Sequence, residues 1–135
     1  MGLAAILLIV AALLGGPAWH RIAQVAPSGD ARIRESARAF ALADGATLIV
    51  ATADGATLLT GGQARDVPLS RLSSWMPPGL PDPVALIVTP GGMEADFLLG
   101  SALTRAGVGT VTRTRIAGRC PSIGRTAGGI GCISP

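Results

Sequence analysis

The sequence predicts an α/β protein in which one N-terminal transmembrane helix is followed by a small two-layer mixed sheet with helices on one face. Three observations lead there. Residues 1–18, MGLAAILLIVAALLGGPA, contain no charged or polar side chain. The hexapeptide ADGATL stands at 43–48 and again at 53–58. That spacing is too short for a solenoid unit, which takes about 20–50 residues, so the repeat is local turn geometry. From residue 84 an apolar run, an amphipathic stripe and an alternating run follow one another, the order of a strand, a helix and a parallel strand. The expected organisation is an anchor over 1–18, a linker and short helix over 19–42, an α/β domain over 43–117 and a Cys-bounded loop over 118–135.

As a helix, residues 1–18 would rise about 27 Å, enough for the hydrocarbon core of a bilayer. A cleaved signal peptide is the competing reading, with small residues at Gly16-Pro17-Ala18, but the basic amino-terminal region of such a peptide is missing. Arg21, Arg32, Arg34 and Arg38 follow the span and by the positive-inside rule favour a cytoplasmic domain. Cys120 and Cys132 flank PSIGRTAGGIG, and in an oxidising compartment they would close a short loop that contributes about 3 kcal/mol.

Composition excludes several function classes. All 11 basic residues are arginine, the net charge is +3, and there are two Phe, two Trp and no Tyr. With the arginines scattered and stacking aromatics scarce, nucleic-acid binding is not expected. The one histidine, His20, lies about a hundred residues from the cysteines, and no CxxC spacing occurs, so neither a metal site nor a cofactor is expected.

The elements follow in order. Pro27, Ser28, Gly29 and Asp30 mark a linker. Ile33, Ala37, Phe40 and Ala41 then recur at helical spacing over 31–42, with Asp30 placed to cap. Ala46–Ala51 and Ala56–Thr60 read as a hairpin turning at Asp54-Gly55. Val67, Leu69, Leu72, Trp75 and Met76 suggest a helix over 67–76, stopped by PPGLPDP. Val84–Thr89 is continuously apolar, as in a strand covered on both faces. Ala95, Leu98, Leu99, Ala102, Leu103 and Ala106 form one helical stripe, with Glu94 and Asp96 in the first turn, Arg105 in the last and Gly107 as the stop. VGTVTRTRI alternates as the last strand.

Two stretches carry possible chemistry. TPGGMEADF sets a Gly-Gly turn between a buried strand and a helix, where backbone amides can hold an anion. GRCPSIGRTAGG presents Ser122 between Cys120 and Gly124. Together, over residues 84–130, these resemble the ClpP/SppA-type serine peptidases. That resemblance implies Gly91 and Gly92 in an oxyanion loop and Ser122 as nucleophile. A serine hydroxyl needs a base to take its proton, however, and neither lysine nor histidine follows Ser122.

The order span, Pro-containing linker, LIVATADGATLLTGGQARDV, PLSRLSSWM, VALIVT and ADFLLGSALTRAGVGTV is similar to the ExbD/TolR family of biopolymer-transport proteins over residues 1–112. The matching marks are the turn Asp54-Gly55, the loop Gly61-Gly62-Gln63 and the stop Ala106-Gly107. The resemblance implies a non-enzymatic, single-pass inner-membrane component with its domain in the periplasm. It further implies a homodimer, a multi-span membrane partner and a periplasmic partner, with Val25, Ala26 and Pro27 contacting partners. The sequence departs from the family in one respect that bears on mechanism. Members carry an intramembrane aspartate, the device for proton-coupled work, whereas the first acidic residue here is Asp30. Either the start of the chain is incomplete or this member does not itself carry the proton.

Overall fold

A computed structural model describes residues 29–133; the apolar segment 1–18 and the linker residues Val25, Ala26 and Pro27 lie outside the described residues. The elements are helix α1 (Gly29–Asp44), strands β1 (Leu48–Thr52), β2 (Gly55–Thr60) and β3 (Gln63–Pro68), the single turn α2 (Leu69–Leu72), β4 (Val84–Val88), α3 (Met93–Arg105), β5 (Val111–Arg115), β6 (Ser122–Thr126) and β7 (Gly129–Ile133). Five strands form one mixed sheet in the order β3-β2-β1-β4-β5, and β6 and β7 form a separate hairpin. β1 and β2 are antiparallel, as are β2 and β3, while β4 is parallel to both β1 and β5. The α/β class and the β4-α3-β5 crossover therefore agree with the sequence expectation. Among the described residues no helix is long and apolar enough to cross a membrane.

The expectation of two layers with helices on one face is wrong. Ile49, Ala51, Leu58, Leu86 and Val88 face α2 and α3, packing on Leu72, Ala95, Leu99 and Leu103. Leu48, Val50, Leu59 and Ile87 point to the opposite face, where α1 supplies Ile33, Ala37 and Ala41 and the hairpin supplies Ile123. The reason is the pleat: successive residues of β1 and β4 alternate faces and nearly all are apolar, so each face needs its own cover. The sheet is the middle of three layers.

The two ADGATL copies do different work. In the first, Gly45 takes φ 82° and donates its amide to the Ala41 carbonyl at 2.8 Å, ending α1 in the left-handed conformation that glycine favours. In the second, the expected turn is displaced by one residue: Thr52 pairs with Gly55, leaving Ala53-Asp54 as the loop. Gly55 is needed for space, because a Cβ there would run into the Val67 carbonyl of β3. The turn with two positive φ values comes next, at Gly61-Gly62 (59° and 77°), between Thr60 and Gln63.

The helix expected over 67–76 is also corrected. Residues 63–68 pair with β2 as an edge strand that buries Val67 against Ala56, so only Leu69–Leu72 is helical. Arg105 then donates to the Ser73 and Trp75 carbonyls at 2.8 and 3.3 Å, satisfying groups that a longer helix would have bonded itself. α3 matches its expected span. It closes with Gly107 at φ 80° and a bond from the Val108 amide to the Leu103 carbonyl at 3.0 Å.

The second cover is held to itself by polar contacts. The Ile123 amide donates to Ser36 Oγ at 2.8 Å, and the Arg125 guanidinium forks onto the Asp44 carboxylate at 2.6 and 2.9 Å. Cys120 and Cys132 are joined in a disulfide with Cα atoms 5.7 Å apart.

Two predictions follow from this packing. Gly100 lies inside α3 with open space where a Cβ would go, whereas a Cβ on Gly92 would strike the Ala51 carbonyl. In urea titrations Gly100→Ala should therefore add about 0.5–1 kcal/mol, and Gly92→Ala should remove on the order of 3 kcal/mol. The second prediction concerns pH. The hydrogen bond from Arg125, reinforced by its charge and partly opposed by desolvation, holds Asp44 below its ordinary 3.8. The stability this contributes is fully present above pH 3.8 and is lost as pH falls through the depressed folded value. Arg125→Gln should accordingly be less stable than the parent near neutrality by a small margin, and the two unfolding curves should converge in acid below about pH 4.

Candidate functional site

β1 and β4 run parallel side by side, but the chain leaves β1 toward β2 on one side and leaves β4 toward α3 and β5 on the other. Such a divergence opens a crevice at the carboxyl ends of the strands, the place where open α/β sheets hold ligands. Here that crevice receives a carboxylate of the chain itself. Asp30 accepts from the Ala53 amide at 2.9 Å and from the Gly91 amide at 3.2 Å, reaching 23 and 61 residues along the chain. Gly91 makes room for it, since a Cβ there would sit 2.6 Å from Asp30 Oδ2. The expected role of Asp30 as cap of its own helix is thus replaced by a clamp across the ends of β1 and β4. Thr89 lies at the base of this region with its Oγ1 buried and without a hydrogen-bond partner.

The other residues singled out by sequence are placed as follows. Gly92 donates its amide to the Thr89 carbonyl at 2.9 Å, so the amides of Gly91 and Gly92 both have partners within the chain. Ser122 opens β6, half-buried and paired in register with Ile133. Cys120 packs at the margin of the second core, and Cys132 is exposed on β7. No cluster of three metal-ligating side chains occurs among the described residues.

A second region was not singled out by sequence reasoning. α3 and β5 enclose an open groove of about 740 Å³. Met93 and Phe97 stand on its helix side, 66% and 76% exposed, and Gly100 leaves its middle open. On its strand side, Arg113 donates through Nε to the buried Asp96 carboxylate at 2.7 Å. Arg115 lies beside it, exposed and with no carboxylate partner among the described residues. The signal was present in VTRTR, whose alternation puts both arginines on one face of β5.

The Asp30 clamp predicts a local effect. Asp30→Ala should speed hydrogen exchange at the Ala53 and Gly91 amides and lower stability by about 1–3 kcal/mol, while Asp30→Asn, which keeps one acceptor oxygen, should fall between. Unchanged exchange at both amides would rule the clamp out. Comparison of the chain with protein-family models, with curated proteins and with solved structures gave no match in any of the three.

Proposed function

We propose that the chain is a non-enzymatic component of an energy-transducing complex of the ExbD/TolR type, anchored in the inner membrane by residues 1–18 with its domain in the periplasm. The observation that supports this reading most directly is the order of elements after the apolar segment: β1, a tight turn, β2 ending at Gly61-Gly62, helix α2, strand β4, helix α3 with its stop at Ala106-Gly107, and β5. That is the order on which the resemblance rests, with β3 added. The disulfide is in keeping with an oxidising compartment. In this reading Val25, Ala26 and Pro27 contact a multi-span membrane protein, and a second copy of the chain completes a homodimer.

A photo-crosslinking residue in place of Ala26, in the full chain expressed in membranes, tests the reading. The expected products are a crosslink to a polytopic membrane protein and one to a second copy, with the chain retained in the membrane after alkaline extraction. Recovery of a mature soluble form beginning near Trp19, or fluorophosphonate labelling that disappears in Ser122→Ala, would overturn it.

A further inference from the structure

We propose that the free edge of β5 is a docking site for an extended acidic segment of a partner protein, which adds to the sheet as a sixth strand. The backbone bonds to β4 decide which groups are available. The Val84 amide donates to the Thr110 carbonyl and the Ile116 amide to the Val88 carbonyl. With the parallel register Val84↔Val111 through Val88↔Arg115, residues 110, 112, 114 and 116 are therefore the ones that face β4. The amides and carbonyls of Val111, Arg113 and Arg115 point away from the sheet, and among the described residues no strand covers them, since β5 ends the strand order. Unpaired groups in a row are what an added strand binds.

Charge chooses the occupant. Arg113 and Arg115 project on the α3 face of β5, and among the described residues only Arg113 of the two has a carboxylate partner, Asp96. Arg105, which also lines the groove, bonds to backbone carbonyls alone. A strand laid against β5 sets its own side chains about 4.5–5.5 Å from these arginines. A second copy of β5 would bring its own Arg113 and Arg115 onto the same face, placing like charges across the new pair, which is destabilising. The homodimer proposed above must then use another surface, and this edge selects a strand with acids at alternate positions. Exposed Phe97 and Met93, above the same face, offer apolar contact to the flanks of that strand. The opposite sheet edge lacks this selectivity: β3 carries Arg65 and Asp66 side by side and ends at Pro68.

The edge is present whatever complex the chain joins, so loss of peptide binding and loss of a membrane partner are separate outcomes. The probe is a fluorescent peptide in which glutamate alternates with valine and threonine, titrated by anisotropy into the full chain in neutral detergent. Controls are the same peptide with lysine for glutamate, and the glutamate peptide N-methylated at alternate residues on its hydrogen-bonding edge. Binding is expected for the glutamate peptide alone, weakening with added salt, and Arg115→Glu should reduce it roughly tenfold or more. Phe97→Ser, at an exposed position, should weaken binding without changing the unfolding midpoint. Bound peptide should slow hydrogen exchange at the Val111, Arg113 and Arg115 amides. Equal binding of the glutamate and lysine peptides, equal binding of the N-methylated peptide, or no binding at all would each overturn the proposal.

Discussion

The constraint on which the rest of the structure depends is that β1 and β4 are apolar on both faces. Every residue of β1 is buried, and of β4 only Ala85 retains partial exposure. At roughly 25 cal/mol for each Å² of apolar surface, leaving either face of such a pair in water would cost more than a small domain can bear. One face is closed by α2 and α3 and the other by α1 and the β6-β7 hairpin. The second closure comes from the two ends of the described chain, which explains why contacts between them span more than eighty residues, as in Ser36 to Ile123 and Asp44 to Arg125.

The same constraint shows where the sequence was legible. The apolar run at Val84–Val88 signals a doubly covered strand, and the LIVA run of β1 has the same character. What could not be read was which segment lies on which face. The stripe Ile33, Ala37 and Ala41 specifies an amphipathic helix without saying what it meets. The hairpin at Ser122–Ile133 is short, glycine-rich and marked mainly by its cysteines. Local signals of propensity and capping served α3 well, because Glu94, Asp96, Arg105 and Gly107 act within a turn of where they stand. They failed at 67–76, where pairing of Gln63–Pro68 with β2 outweighed the helical spacing of Val67, Leu69 and Leu72.

The candidate sites divide along the same line. A turn of two glycines before a helix is visible as a motif, but its occupant is Asp30, brought in from 61 residues away. Nothing local announces such a contact. The arginines of β5 are visible in the VTRTR alternation, and only the strand order makes them the lining of an open edge. A serine between a cysteine and a glycine looks nucleophilic on paper; in space Ser122 begins a hairpin strand whose neighbour is Ile133. Chemistry inferred from spacing needs the topology before it acquires a direction.

The placement of Asp30 has a mechanical meaning. A pull transmitted from the amino-terminal side of the domain arrives one residue before a carboxylate that grips β1 and β4 at once. The load is therefore shared between β1, the middle strand of the sheet, and its parallel neighbour β4, and is not delivered to α1 alone. Two solvent-exposed charge-assisted hydrogen bonds are a modest grip, together worth about 1–3 kcal/mol.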